Sequence, residues 1–395
     1  MSHRRVGVGL LVVALLVVSI PVGSVVAQET DERRGDTSEG GIEGPIEAFV
    51  AAQGLAGAIL VLVAGGLLLT ACVEKLISYL TRAALGLRLS LFALAIVFTG
   101  FEFDDTVLAL VLSAGDLEGA ALGTALGTGL AIVGVTLALA AVVRPFAVDL
   151  PTDYVALFAL APVALVPFVL AGTLTFVHGL ALLGLFALSF GYVLVREYQR
   201  DTPVFRNSEL GATIRSDGGV SVPALVSKIP EDRFVGGRAA AGWIWVALAV
   251  LALAGLVFAS TLLEAGSEVV VDGLGIEGTV FGATVLTAIL TFEDVLLTLE
   301  PVRRGVPEIG VGNVIGSVLF SLTGNVGVIM LLGDLEISRS VLTFHLPVVV
   351  VVTALAAYFF HEGRLKRWHG FLLGGCYVAY WVVSLVVFGG VPLGG

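Results

Sequence analysis

Long apolar runs separated by short polar connections set the organisation of this chain. Ten of them, at 49–72, 88–113, 118–143, 155–172, 174–196, 239–262, 278–300, 310–331, 341–361 and 368–389, are long enough to cross a bilayer. A helix needs about 20 residues to span a hydrocarbon core of roughly 30 Å. The first and sixth runs continue as amphipathic extensions to about residues 84 and 272. A shorter run, Val6 to Val18, follows Met-Ser-His-Arg-Arg and precedes Ser24-Val25-Val26-Ala27. That layout reads as a secretory signal peptide over 1–27, or as an uncleaved extra helix. Residues 28–48 are acidic and Gly-rich and read as an exported tail. The longest polar stretch, 197–237, divides the spans five and five, into halves at 49–196 and 238–395, and reads as a cytoplasmic linker or small regulatory loop. The pattern predicts an all-α polytopic membrane protein with ten transmembrane helices.

Composition agrees. Of 395 residues, 57% are hydrophobic and 13% charged, mean hydropathy is +1.02 and net charge is −11. Ordinary soluble domains carry roughly 25% charged residues. A soluble enzyme, a disordered chain and a nucleic-acid binder are all excluded, the last because a basic patch is missing. Cys72 and Cys376 both lie in apolar runs, which excludes a disulfide scaffold and a Cys-based metal site. The basic residues test the span count. With the mature N-terminus outside, Arg33, Arg34 and Arg339 fall on the outer side, and Arg4 and Arg5 in the leader. The other sixteen of the 21 Lys and Arg fall inside. A miscounted helix would scramble this asymmetry. The expectation is a multi-pass protein of the cell membrane with both mature termini outside and the 197–237 loop inside.

An internal repeat emerges at a shift of 189 residues. Phe103-Asp104-Asp105 falls on Phe292-Glu293-Asp294, and Gly123-Thr124-Ala125-Leu126-Gly127-Thr128 on Gly312-Asn313-Val314-Ile315-Gly316-Ser317. The copies lie five spans apart, so the second is inverted in the membrane relative to the first. Inverted repeats with sites near the bilayer midplane mark secondary transporters.

Asp104, Asp105, Glu293 and Asp294 lie deep in apolar spans. Each such charge costs roughly 2.5–3.5 kcal/mol on the insertion scale, and four on the order of 10 kcal/mol. No Lys, Arg or His occurs from Leu89 to Val143 or from Ala239 to Val302. The remaining remedies are protonation, a bound cation or a shared aqueous cavity. The neighbours are oxygen donors: Thr99, Glu102, Thr106, Thr124 and Thr128 in the first copy, and Thr291, Thr298, Asn313 and Ser317 in the second. Glu102 and Asp105 share a helix face, as do Thr291, Asp294 and Thr298. Carboxylate, hydroxyl and amide oxygens without His or Cys suit hard cations such as Ca²⁺ and Na⁺. Gly123 with Gly127, and Gly312 with Gly316, form two GxxxG pairs that let the third and eighth spans approach their neighbours closely.

At these residues the chain resembles the sodium/calcium exchanger (cation/calcium antiporter) superfamily. Its second copy is the clearer: Phe281-Gly282-Ala283-Thr284, then Thr291-Phe292-Glu293-Asp294, then Arg303-Arg304-Gly305 through Gly312-Asn313-Val314-Ile315-Gly316-Ser317. The first copy retains Gly100, an acid at 105 and Gly123 to Thr128. The resemblance implies two inverted repeats of five helices. It implies that Asp105 and Asp294 stand where the family has its cation-binding Glu, Thr124 and Asn313 where it has Asn, and Thr128 and Ser317 where it has Ser. Asp104 and Glu293 occupy a position the family gives to Pro, Ile289 replaces a Gly, and Ser321 stands where an acid or amide is frequent.

The implied activity is secondary antiport of Ca²⁺, or a related cation, for Na⁺ or H⁺, with small cations and the bilayer as partners and no cofactor. Spans one and six would move to switch access. The alternatives are a channel or a transport-inactive cation sensor. An intramembrane aspartyl protease with an Asp105–Asp294 dyad lacks its Tyr-Asp and Gly-x-Gly-Asp signatures, so no enzyme is expected. Among the remaining residues, His178 and His345 read as packed or cavity-edge groups and not ligands, and His361 and His369 as interfacial. Trp243, Trp245 and Trp368 read as an aromatic belt. Glu264, Glu268, Asp272 and Glu277 read as a solvated acidic face.

Overall fold

The computed structural model describes residues 43–86, 102–199, 231, 241–305 and 307–388. The chain is a helical, polytopic membrane protein. Among the described residues, eight helices are long and apolar enough to cross a membrane, and a ninth if Gly278–Phe292 and Leu297–Arg303, which meet at 46°, count as one bent span. The expected second span, 88–113, is described only from residue 102, and the readings of 1–27 and of most of 28–48 and 197–237 lie outside the described residues.

Helix α1 covers Glu43–Gly86 and begins inside the stretch expected to be tail. It is kinked at Gly54, whose φ of 64° suits a residue without a Cβ. Helix α2 (Phe103–Ala114) follows, then α3 (Glu118–Ala131), a π-helical turn at Ile132–Leu137 and α4 (Ala138–Val143) as one continuous span. Strand β1 (Phe146–Ala147), α5 (Thr152–Val169), β2 (Thr173–Leu174) and α6 (Phe176–Gln199) complete the first half. The second half runs α7 (Ala241–Leu274), α8 (Gly278–Phe281), a π-turn at Gly282–Leu286 and α9 (Thr287–Arg304). It continues with α10 (Pro307–Leu319), a π-turn at Phe320–Asn325, α11 (Val326–Ile329) and β3 (Leu335–Glu336). A π-turn at Val341–His345 then leads into α12 (Leu346–His361), β4 (Arg364–Leu365), α13 (Arg367–Val383) and a last π-turn at Ser384–Phe388.

The extensions of spans one and six are present as α1 and α7. At 1.5 Å per residue the 34 residues of α7 reach about 50 Å, which exceeds a bilayer core and requires tilt. The two helices pack along one another. Small residues admit this: Gly65 lies against Leu263 and Ala259, and Gly266 against Leu62 and Ala58.

The π-turns at 132–137 and 320–325 stand 188 residues apart, within one residue of the shift that superposes the acidic pairs. The two strand pairs join the halves reciprocally. Strand β1, after the third span, pairs with β4 of the second half, Phe146 opposite Leu365. Strand β2 pairs with β3, Thr173 opposite Glu336.

Polarity is reversed from a soluble fold. Leu60, Leu188 and Val177 are at least 70% exposed, whereas Thr284, Thr287, Thr298, Ser321 and Asn325 are fully buried. Such an exterior suits hydrocarbon. Three surface readings change. Glu264 is buried, not part of a solvated face. Trp245 is buried and stacks on Tyr79 with centroids 5.7 Å apart, while Trp243 and Trp368 are exposed. His369 is buried and stacks parallel on Phe359 at 3.8 Å, because the start of α13 folds against α12. His345 is packed, as expected.

Candidate functional site

The candidate site forms where Glu102, Asp104 and Asp105 of the first half meet Asp294 of the second. Glu102 has extended backbone (φ −88°, ψ 100°), and α2 starts immediately after it. Asp104 and Asp105 therefore occupy the first turn of a helix that begins within the expected second span, where the positive end of the helix dipole favours negative charge. No Pro stands at this helix start. In the second half the polypeptide stays helical but bends by 46° across 293–296, at the corresponding acidic pair.

Glu102, Asp104, Asp105 and Asp294 lie close enough for their charges to act on one another. Asp105 is buried at 3% exposure, and Glu102, Asp104 and Asp294 are half-buried. Among the described residues none of the four forms an ion pair with Lys, Arg or His. Nor do three carboxylate or imidazole groups there converge as a ready metal centre. One oxygen of Glu102 and one of Asp105 are buried without a hydrogen-bond partner. A cation held here must complete its shell with hydroxyl, amide or water oxygens.

Those donors are at hand. The Asn313 amide Nδ2 donates to Asp294 Oδ1 and to Thr298 Oγ1, both at 3.4 Å. Its placement follows from Gly310, one turn earlier, where α10 comes so near the Thr298 carbonyl that a Cβ would stand 2.6 Å from it. Ser321 Oγ donates to Glu102 Oε2 at 3.3 Å, linking α2 to the second half. Thr128 faces Asp105 with a buried hydroxyl that makes no hydrogen bond, and Ser317 stands beside Glu102.

Three expected oxygen donors have their hydroxyl hydrogens engaged, with the oxygen lone pairs left over. Thr106, Thr124 and Thr291 each donate to the carbonyl four residues back, at 2.7, 2.8 and 2.6 Å, a common habit of hydroxyls in helices. The Glu293 side chain and residue 99 lie outside what is described. Ser321 was legible only as a departure from the related sequences, although its position four residues after Ser317 puts both on one helix face. The glycines act in packing. Gly123 and Gly127 lie against the backbones of Thr279 and Ala283, and Gly282 lies reciprocally against Ala120. Gly312 and Gly316 are half-buried.

The interior of this membrane fold gathers carboxylates from both halves of the chain. Residues 244–386 match the family model described as sodium/calcium exchanger protein. The chain is 30% identical over 139 residues to the sodium/calcium exchanger MaX1 of Methanosarcina acetivorans, a match covering 35% of this chain and 40% of that one. It is 24% identical over 340 residues to the inner membrane protein YrbG of Escherichia coli, covering 82% of this chain and 98% of that one. Its fold is similar to the crystal structure of the H⁺/Ca²⁺ exchanger CAX, with a TM-score of 0.60 at 14% identity, over 83% of this chain and 86% of the other. The second half of the chain, residues 244–386, is thus similar to the sodium/calcium exchanger family, and the chain spans well under half the length of the exchanger MaX1 that it matches.

Proposed function

We propose that this protein is a secondary antiporter that exchanges Ca²⁺, or a related hard cation, for Na⁺ or H⁺ by alternating access. The observation that carries the reading is the group formed by Glu102, Asp104, Asp105 and Asp294. It is drawn from both halves, enclosed by hydroxyl and amide oxygens, and has no basic partner among the described residues. Uncompensated carboxylates at membrane depth are unfavourable, so the site favours either a bound cation or protons. Exchange of one for the other keeps its charge near neutral in both loaded states. Asp105 and Asp294 act as the principal ligands. Asp104, Glu102, Glu293, Asn313 and Thr298 complete the shell, with the Thr128, Ser317 and Thr124 oxygens at its margin.

The architecture we infer is ten spans in two inverted five-helix repeats, behind a signal peptide at 1–27 and an acidic outer tail. The cross-pairing of β1 with β4 and β2 with β3 supports the inversion. It brings the third-to-fourth connection beside the ninth-to-tenth, and the fourth-to-fifth beside the eighth-to-ninth, as alternation across ten spans requires. The packed pair α1 and α7, with glycines at its contacts, is the element that moves to switch access.

The test is ⁴⁵Ca²⁺ uptake into proteoliposomes under an outward Na⁺ gradient, an outward H⁺ gradient, or none. Gradient-driven uptake that Asp105→Asn and Asp294→Asn each abolish is expected. Uptake equal in wild type and variants under every gradient would overturn the reading in favour of another cation or a non-transporting sensor.

A further inference from the structure

Two buried polar side chains have no role in the site just described. Asn325 is fully buried, and neither its amide nitrogen nor its oxygen has a hydrogen-bond partner. Thr136 is fully buried, and its hydroxyl is likewise without a partner. An unpaired buried polar group is unfavourable and calls for a reason. Both residues sit in π-helical turns, Phe320–Asn325 and Ile132–Leu137. Single π-turns inside α-helices are frequent at functional sites. The two residues are also 189 positions apart, the shift that relates the two halves. The same device stands in both repeats.

Position adds direction. Asn325 lies four residues beyond Ser321 on the same helix face, and Ser321 holds Glu102 at 3.3 Å. Helix α2 runs from Glu102 in the same sense as this span, and the two pack together along Phe320–Ile329. On the face of α2 that begins at Glu102 follow Thr106 and Ser113, both buried, the Ser113 hydroxyl without a partner. At its far end Gly115 lies against the carboxylate of Glu264. Polar groups thus continue from the carboxylate site toward the face where α1 begins. By the repeat, Thr136 lies on the half leading to the opposite face, where its π-turn packs against α9.

We propose that Asn325 and Thr136 are polar way-stations in two half-passages, one to each face of the membrane, sealed in this conformation and wetted when their side opens. Each offers an oxygen to the cation while it is still partly hydrated, before the carboxylates take it. The identity of that cation rests on the antiport reading above; the existence of the passages does not.

Substituted-cysteine labelling tests it. In a background with Cys72→Ala and Cys376→Ala, Asn325→Cys and Thr136→Cys are exposed to the membrane-impermeant cation methanethiosulfonate ethyltrimethylammonium. The reagent is added to right-side-out and, separately, to inside-out vesicles. The fully buried apolar neighbours provide controls as Val326→Cys and Val133→Cys. The expected result is labelling of position 325 from one face only and of position 136 from the other only, each at least tenfold faster than its control. Labelling no faster than the controls, or from the same face for both, overturns the proposal. Thr136→Cys, a small change, keeps the test decisive if Asn325→Cys does not fold. Sided labelling without protection by millimolar Ca²⁺, in a protein that exchanges no Ca²⁺, would uphold the passages and sink the calcium reading separately.

Discussion

Ser321 in the second half donates its hydroxyl to Glu102 in the first, 219 residues away and 3.3 Å distant. This bond sets a carboxylate beside Asp105 and Asp294 that the acidic repeat does not duplicate, since the position related to Glu102 is Thr291. The site is therefore asymmetric, with more acid from the first half. Glu102→Gln is expected to weaken Ca²⁺ binding by about tenfold or more, as loss of a charged hydrogen-bonding group costs roughly 1.5–3 kcal/mol. Ser321→Ala, which leaves the carboxylate in place, is expected to cost only a few-fold. Isothermal titration of the purified protein measures both. Equal losses would make Glu102 a structural partner of Ser321 and not a ligand.

Helix approach sets the positions of these ligands. At Gly282 a Cβ would collide with the Ala120 carbonyl, an atom that cannot step aside without moving its helix. Gly282→Ala is expected to destabilise by about 1–3 kcal/mol, the usual range for overpacking. Gly310→Ala pushes α10 from Thr298 and should draw Asn313 off Asp294, lowering cation affinity along with stability. Gly184→Ala, with open space around it, should change neither. Thermal unfolding in detergent, with and without Ca²⁺, separates the three.

What the sequence showed and what it hid follow from range. The repeat, the long first and sixth helices and the acidic pairs are local or periodic, and spans 118–143, 341–361 and 368–389 reappear almost residue for residue. The partner of Glu102 is not local, and nothing in the spacing of Ser321 pointed to it. Hydroxyl direction was also hidden: Thr106, Thr124 and Thr291 face the right region, yet each bonds its own helix. Glu264 looked like one acid among four on an outer face, and only packing against Gly115 buries it. The π-turns leave no mark on the apolar pattern, because one extra residue in a turn is invisible where every neighbour is apolar.

Glu231 is tied to the first long helix. It accepts from Lys75 Nζ and from Tyr79 Oη, each at 2.9 Å. Burial pushes its carboxyl up, but the Lys75 and Tyr79 hydrogen bonds outweigh this and hold it below the usual carboxylate range. A lowered folded value means stability that is present above the unfolded value of about 4.3 and lost as pH falls through the folded one. Both partners are partly exposed, so the pair is worth at most about 1 kcal/mol. Glu231→Gln is expected to lower the melting temperature by at most about 2 °C at pH 7 and by nothing near pH 3. A difference that persists in acid would mean that the side chain acts through packing.

His345 and Tyr380 lock the start of α12 to α13. His345 Nδ1 and Tyr380 Oη are 2.7 Å apart, both residues are almost wholly buried, and Phe344 stacks on Tyr380 at 5.4 Å. If this pair is structural, Tyr380→Phe keeps the stacked ring and strands one imidazole nitrogen, which costs about 1–3 kcal/mol. His345→Phe removes the other partner, and the double variant, in which neither polar group is left to satisfy, should recover part of the loss. A coupling energy near 1 kcal/mol from the four melting curves is the expected outcome. Exchange rates should stay within twofold in every variant that folds, because these residues pack between the outer spans and touch none of the four carboxylates. A rate that falls tenfold while stability holds would instead make the His–Tyr pair part of the transport cycle.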